Sequence, residues 1–195
     1  MIKLDTYELK IDGIESYVDF ISLVENPAIE KEFLAFSEQK KYEFSLNDEK
    51  MELIGAAMVP EQLIYRRNED GYEYQVFFSK DTIRQISQNF FKSGSQSNLN
   101  IEHSAINADS YVFQSMIVDN SKGISIMDLP DGTWVVGVKV LNKSIWKDIK
   151  EGKRKGFSIE GIFDLHQHKF QTKKDDETEI MEMLQRLQNL LKGNI

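Results

Sequence analysis

Short runs of alternating apolar and polar residues, each ended by a turn signal, constrain the fold of this chain more than any other feature. Between residues 72 and 78, the side chains of Tyr72, Tyr74, Val76 and Phe78 fall on one face of an extended backbone. This period-two pattern is typical of a half-buried strand. Similar runs, separated by Gly, Pro, Asn and Asp, predict further short strands. They lie at residues 53–59, 111–118, 133–141 and 156–165, and residues 1–20 are predicted to form an N-terminal strand or hairpin around Gly13.

Two helical segments interrupt the strands. Ser79 and Asn142 are N-cap candidates, because a side-chain oxygen at that position accepts from the free N–H groups of the first turn. Gly94 and Gly152 are placed to end the two helices. Short strands with a few helices between them predict an α+β or mostly-β fold, a β-barrel with flanking helices. The apolar residues at helical spacing are Ile83, Ile86 and Phe90 in the first helix and Ile145, Trp146 and Ile149 in the second.

The last part of the chain has a different character. Residues 171–179 are polar and charged, and residues 180–191 carry an apolar stripe at helical spacing. We therefore predict a domain over residues 1–170, followed within residues 171–195 by a charged linker and an amphipathic C-terminal helix. Such a helix packs back on its own domain, on another copy of the chain or on a partner protein. The stripe consists of Ile180, Leu184, Leu187 and Leu191.

Composition excludes several classes of protein. With 195 residues, 41% of them apolar, the chain can bury one sizeable core. It has no cysteine, so disulfides and thiolate metal sites are excluded. A formal net charge of −8 disfavours nucleic acid as a partner. No apolar run approaches the roughly 20 residues of a membrane span, and the first residues lack the apolar stretch of a signal peptide. These properties predict a soluble intracellular domain.

The segment KRKGFSIEG at residues 153–161 is the most informative part of the sequence. Period-two alternation puts Ser158 and Glu160 on one face of a strand and Phe157 and Ile159 on the other, buried face. The segment is not the nucleophile elbow of α/β-hydrolases, because Glu160 stands where G-x-S-x-G requires its second glycine. Alternation by itself is typical of an ordinary solvated sheet face, so Ser158 is at this point only a candidate nucleophile.

Three histidines are available to activate a serine: His103, His166 and His168. A serine hydroxyl needs an adjacent base to be nucleophilic at neutral pH, and imidazole suits that role. His166 and His168 follow Ser158 in the same predicted strand, where about 3.3 Å per residue places His166 roughly 26 Å away. His103 ends the segment NLNIEH after a loop and is left as the candidate base. The alternative for His166 and His168 is a metal site with Asp164, since alternate strand positions share a face.

Several segments, taken in order, resemble the XkdF-type phage prohead proteases. That family is similar to other tailed-phage capsid-maturation proteases and, in fold, to the herpesvirus assemblins. The resemblance implies a compact assemblin-like β-barrel and a serine endopeptidase that acts inside the procapsid, in the cytoplasm of the bacterial host. The implied substrates are the scaffold protein, the major capsid protein and often the protease itself, and no cofactor is implied. The segments, between about residue 20 and residue 165, are ISLVENPAIE, IYRR, YQVFFSKDTI, NIEHS, GTWVVGVKV and IWKDIKEGKRKGFSIEG.

The resemblance assigns roles to individual residues. His103 matches the family's histidine, and Ser158 matches its serine. The third catalytic residue is a second histidine in the herpesvirus relatives and is expected to be an acid in the phage relatives. Strand geometry favours Glu160, one alternation of roughly 7 Å from Ser158. Glu102, Asp109 and a second histidine remain alternatives, and the other interpretation of Glu160 is an ordinary surface carboxylate.

Three further points stay open at the level of sequence. Arg154 and Lys155, in the basic turn before Ser158, are candidates for stabilising the oxyanion, although backbone N–H groups are its usual source. Gln114-Ser115 stands where the family is expected to have Glu-Ser, so any role of that acid is lost here.

The main alternative to a protease is a catalytically inactive scaffold or minor capsid protein on the same fold. In either case, a homodimer or higher oligomer is an expected state.

Overall fold

The computed structural model describes residues 4–12, 17–25, 45–47, 50–126 and 128–167. These residues form a mixed α+β structure that is mostly β, with short 3-10 turns at Ser95–Ser97 and Asn120–Lys122. The strands are β1 (Asp5–Lys10), β2 (Tyr17–Val24), β3 (Ser45–Asn47), β4 (Glu52–Met58), β5 (Ile64–Arg67), β6 (Glu73–Phe77), β7 (Leu99–Ile101), β8 (Ser110–Ile117), β9 (Trp134–Val140), β10 (Gly156–Ile162) and β11 (Asp164–Gln167), and the helices are α1 (Lys80–Lys92) and α2 (Lys143–Lys150).

The strands of the described residues divide among three sheets. One has the order β11-β1-β6-β5, the second β10-β2-β7, and the third β3-β4-β9-β8. None of these sheets closes on itself, so the predicted β-barrel is wrong for the described part of the chain. Each sheet keeps two edge strands, because strands end or change partner at breaks and bulges instead of continuing around one ring. The likeness to the herpesvirus assemblin fold stays a prediction.

Two stretches of the chain depart from the predicted strands. The run at residues 156–165 is broken at Phe163, so that β10 ends at Ile162 while β11 pairs with β1 in another sheet. Phe163 packs edge-on against Phe78, with ring centroids 5.0 Å apart. At the other end of the chain, β1 and β2 belong to different sheets and do not form a hairpin with each other. Local alternation predicts each strand, whereas packing decides where it ends and what it pairs with.

Both helices begin at the predicted caps. The Ser79 side chain accepts from the backbone N–H of Thr82, and the Asn142 side chain accepts from the N–H groups of the first turn of α2. Gly94 follows the end of α1 with a φ of +79°, which is the left-handed conformation that suits glycine. The predicted apolar face of α1 is confirmed, since Ile83, Ile86 and Phe90 are all fully buried.

A large apolar core joins the sheets and the helices. Trp134 of β9 is fully buried and meets Phe90 of α1 edge-on, with ring centroids 5.5 Å apart, an arrangement that aromatic pairs prefer. The indole N–H of Trp134 donates to Ser115 Oγ at 2.9 Å, so this buried donor is satisfied. Strands β2 and β10, which carry the candidate site, are anchored in the same core by Ile21 and Phe157. The core therefore supports the sheet that carries the site.

Some predictions concern residues outside the described ranges. They are the turns at Gly13 and at Asn26-Pro27, and the linker and helix of residues 171–195. These remain predictions, as does the domain boundary at residue 170. Neither of the two α-helices in the described part of the chain has the length and apolar character that crossing a membrane requires.

Candidate active site

Three polar side chains form a row across the sheet β10-β2-β7. Ser158 of β10 lies directly opposite Ser22 of the antiparallel strand β2, and Ser22 lies directly opposite Asn100 of the parallel strand β7. Directly opposed residues of a sheet point to the same side, so the three side chains share one face. The other face is apolar and joins the core through residues such as Phe157 and Leu99. The sheet thus has one polar face and one buried face.

Glu160 extends the polar face by one alternation along β10. It lies opposite Phe20 of β2, and the register shifts immediately afterwards, which leaves Asp19 without a direct partner. Bulges of this kind redirect neighbouring side chains and are frequent beside active sites. A Cβ on Gly161 would overlap the carbonyl oxygen of Tyr17 and come within 3.1 Å of the next Cα in β2. The bulge therefore requires glycine immediately after the candidate acid.

His103 stands in a strained turn directly after β7. Two backbone hydrogen bonds hold the turn, from Glu102 N–H to Leu23 O at 3.2 Å and from Ser104 N–H to the last residue of β7 at 3.0 Å. Glu102 and His103 have φ angles of +50° and +54°, in the left-handed region that costs a non-glycine residue roughly 1–2 kcal/mol. Strained backbone is concentrated at functional sites. The turn brings the imidazole to Ser22 on the polar face of the sheet.

The imidazole of His103 meets Glu160 through Nδ1, which lies 3.1 Å from Glu160 Oε1. The same carboxylate oxygen accepts from Ser22 Oγ and from Asn100 Nδ2, each at 2.5 Å. Desolvation raises the pKa of Glu160, but the hydrogen bonds from Ser22 and Asn100 and the charge of His103 outweigh it, so the pKa is lowered from its ordinary value. Glu160 is therefore an ionised acceptor at neutral pH, with its donors gathered on one oxygen.

Ser158 is partly exposed, beside Ser22 in the row. Nδ1 of His103 is occupied by Glu160 and by Ser22 Oγ, 3.1 Å away, so Nε2 is the ring nitrogen left for a nucleophile. Within the residues that the structure describes, no hydrogen bond joins Ser158 Oγ to His103. Ser22 does contact the imidazole, but it is fully buried and cannot reach a peptide carbonyl. Ser158 is the better placed of the two hydroxyls for attack on a substrate.

A family model described as "Putative phage serine protease XkdF" matches residues 41–167 of the chain. The chain belongs to this family of phage serine proteases. The resemblance noted in the sequence is thereby confirmed. The matched range contains Asn100, His103, Ser158 and Glu160, whereas Ser22 precedes it. No match was found among the curated proteins or among the solved structures.

In this XkdF-family protease the other predicted acids are not partners of the imidazole. Glu102 Oε1 accepts from the backbone N–H of Glu25 at 2.7 Å and lies 3.2 Å from Arg154 Nη1. Glu102 thus ties the His103 turn to the end of β2 and to the loop before β10. Asp109 lies beyond the turn, and within the described residues it is not among the partners of the His103 ring.

The basic turn before Ser158 is held by contacts of its own. Arg154 donates to the backbone carbonyl of Lys153 at 2.7 Å in addition to its pairing with Glu102. The backbone N–H of Lys155 donates to Val24 O at 2.8 Å. This hydrogen bond joins the residue before β10 to the last residue of β2. An oxyanion role for the side chain of Arg154 or Lys155 stays a prediction.

His166 belongs to a different sheet from Ser158. It lies on β11, where its Nε2 is 3.2 Å from Asp12 Oδ1. A straight strand would place it far along β10 from Ser158, but the chain instead breaks at Phe163 and enters another sheet. Among the described residues, no group of three or more His, Cys, Asp or Glu side chains is arranged to hold a metal ion. His168, the other predicted ligand, lies outside them.

The sequence reasoning missed Ser22 and Asn100. Both are small polar residues inside short apolar runs, ISLV and LNI, and both are buried. A buried polar side chain costs free energy unless it is hydrogen-bonded, so a polar residue in the middle of such a run signals a partner elsewhere in the fold. That signal could have identified Ser22 and Asn100. It could not identify their partner, because Glu160 lies on β10, a strand remote from both in sequence.

Proposed function

We propose that this chain is a serine endopeptidase in which Ser158 is the nucleophile, His103 the general base and Glu160 the acid that orients His103. The observation that carries the proposal is the 3.1 Å contact between His103 Nδ1 and Glu160 Oε1. A carboxylate on Nδ1 keeps the ring proton there, leaves Nε2 free to accept a proton, and stabilises the imidazolium that forms during reaction. Membership of a phage serine protease family supplies the class of reaction.

The reaction is acyl transfer in two halves. His103 Nε2 takes the proton of Ser158 as Oγ bonds to the carbonyl carbon of the peptide. The imidazolium then gives that proton to the amine as the C–N bond breaks, which leaves an acyl-enzyme. In the second half, Nε2 deprotonates a water that attacks the ester. The bond to Ser158 Oγ breaks, and the proton returns to that oxygen.

We further propose the substrates that the resemblance implies. They are the scaffold protein and the major capsid protein, cleaved inside the procapsid in the bacterial host, and the protease itself. The support for this step is the resemblance to prohead proteases together with the family match. Cleavage inside a closed shell would confine the protease to proteins that are assembled with it.

Co-expression with the cognate capsid and scaffold proteins tests the proposal. We expect the wild-type chain to trim both proteins and Ser158→Ala to leave both at full length. Ser144→Ala is the matched control, because Ser144 is an exposed serine at the start of α2, away from the sheet that carries the site. Trimming by Ser158→Ala at the wild-type rate would rule out Ser158 as the nucleophile.

The alternative function is a catalytically inactive scaffold or minor capsid protein. It is favoured by one observation, the lack of a hydrogen bond between Ser158 Oγ and His103 among the described residues. Catalytic hydrogen bonds are often long without substrate and tighten in the complex, so a chemical probe is needed. A fluorophosphonate should label the protease at Ser158, and both Ser158→Ala and His103→Gln should abolish the label. A wild-type chain that binds capsid protein but never labels and never cleaves would favour the alternative.

A further inference from the structure

We propose that Ser22 and Asn100 are positioning residues that hold the Glu160 carboxylate against the His103 imidazole. Both are buried, with 0% and 6% of their surface exposed, so they act through Glu160 and His103 and not by touching substrate. The proposal deepens the catalytic centre described above and rests on the role proposed there for Glu160.

Ser22 lies at the centre of the arrangement. Its Oγ is 2.6 Å from Asn100 Oδ1, 2.5 Å from Glu160 Oε1 and 3.1 Å from His103 Nδ1. A hydroxyl has one proton, so Ser22 donates to either Asn100 or Glu160 at any moment, while its lone pairs can accept from His103 Nδ1–H. Rotation of the hydroxyl moves the proton between the two acceptors without moving any heavy atom. Ser22 therefore holds Glu160 beside His103 only in the state in which its proton points to the carboxylate.

Asn100 completes the arrangement from β7. Its Nδ2 donates to Glu160 Oε1 at 2.5 Å, and its Oδ1 accepts from Ser22 Oγ. Both ends of the amide are used, and a flipped amide would turn its oxygen towards the carboxylate. Strands β2, β7 and β10 thus meet, through side chains, at one oxygen of Glu160. The position of the acid is set by the sheet and not by a loop.

The burial of Ser22 and Asn100 indicates why these two positions are polar. A serine and an asparagine inside apolar strands are stable only if their polar atoms find partners. The side-chain partners that the structure gives them are Glu160, His103 and each other. Two apolar residues could pack in their place without needing any such partner. Holding the carboxylate is the role that accounts for polar residues at these two positions.

The charges around the imidazole make position 100 sensitive to substitution. In the described residues, Glu160 faces the ring from β10, and Glu102 belongs to the same turn as His103 with its charge paired to Arg154. A carboxylate at position 100 would stand where Asn100 Nδ2 now lies, 2.5 Å from Glu160 Oε1, without a cation of its own. Two carboxylates this close cannot both ionise at neutral pH, so they would share one proton.

The first test is the Nδ1–H proton of His103, observed by NMR in protein labelled with 15N-histidine and assigned with His103→Gln. We expect this proton to exchange with water about tenfold faster in Asn100→Ala, because Glu160 loses a donor that holds it in place. Ser22→Ala should show at least the same increase, since it also removes a direct contact with Nδ1. Ser110→Ala is the matched control, since Ser110 is a buried serine that donates to the carbonyl of Ala108. Unchanged exchange in both site variants would overturn the proposal.

The second test is Asn100→Asp, which keeps the shape of the side chain and remains informative if a truncated variant is unstable. We expect the two carboxyl groups, followed by 13C NMR of labelled side chains, to share one proton, so that one of them stays protonated well above the ordinary carboxyl range. Two carboxyl groups that both titrate in the ordinary range would overturn the proposed contact. The NMR readout needs no proteolysis. A chain that proves inactive but shows the shared proton would refute the proposed function while supporting the positioning role.

Discussion

His103 Nδ1 lies 3.1 Å from Glu160 Oε1, so a residue in the turn after β7 and a residue in β10 meet on one face of one sheet. The contact uses the ring nitrogen that a carboxylate holds in Ser-His-acid centres, and it leaves the other nitrogen for Ser158. Glu102 is adjacent to His103 in sequence, yet its carboxylate is bound by Arg154 and by the backbone of Glu25. Contact, and not closeness in sequence, selects Glu160 as the candidate acid.

Glu160→Gln should lower kcat by about 10²- to 10⁴-fold with little change in KM, because a neutral amide neither fixes the tautomer of His103 nor stabilises its imidazolium. The measurement is steady-state cleavage of a capsid-derived peptide. Glu102→Gln is the comparison variant. Its effect should be much smaller, since Glu102 supports the turn and does not contact the ring. A large loss in Glu102→Gln with none in Glu160→Gln would reverse the assignment.

Glu160 should also make stability depend on pH. Its pKa is lowered in the folded chain, so the unfolded carboxylate binds a proton more readily and acid favours unfolding. The stabilisation that ionised Glu160 provides is fully present above pH 4.5, the ordinary pKa of a glutamate. It is lost as the pH falls through the lower pKa that Glu160 has in the folded chain. Urea denaturation should therefore show a wild-type advantage over Glu160→Gln at pH 7 that shrinks below pH 4.5. Glu69→Gln, at an exposed turn, controls for net charge, and a constant advantage down to pH 3 would contradict the prediction.

Gly161→Ala should destabilise the fold by about 1–3 kcal/mol, because the new methyl group meets the backbone of β2 at the bulge as well as the ring of Phe163, and the backbone cannot move aside cheaply. Activity should fall as well, since Glu160 is the adjacent residue. Gly94→Ala is the comparison variant: a Cβ there would meet nothing within 4 Å, so any loss comes only from its left-handed φ of +79°. An equal loss in the two variants, measured by urea denaturation, would argue against the backbone clash at Gly161.

Ser115→Ala should cost about 0.5–1.5 kcal/mol, because the indole N–H of Trp134 loses its acceptor, while the exposed position of Ser115 lets water take the place of the hydroxyl. Chemical denaturation followed by circular dichroism measures the loss. Ser144→Ala, at an exposed serine of α2, should change stability by less than about 0.5 kcal/mol. If Ser115→Ala is as stable as wild type, the indole has found another partner and the assigned hydrogen bond does not contribute.

Local structure was largely predictable from sequence. Ser79 and Asn142 cap their helices as predicted, because capping depends on one side chain and the first turn that follows it. Ser158 and Glu160 lie two positions apart in the uninterrupted strand β10, as the alternation indicated. The break at Phe163 was not predicted, since that residue keeps the alternating pattern and leaves the strand only to pack on Phe78.

By itself, the sequence determined most of the longer strands, both described helices, the family, and His103 and Ser158 as the residues to examine. Tertiary structure alone decided that Ser22 and Asn100 belong to the site, and that Glu160, not Glu102, meets the imidazole. The physical reason is that side-chain direction along a strand follows from its own residues, with a period of two. Which strand lies beside it, and in which register, depends on how all the strands bury their apolar faces together.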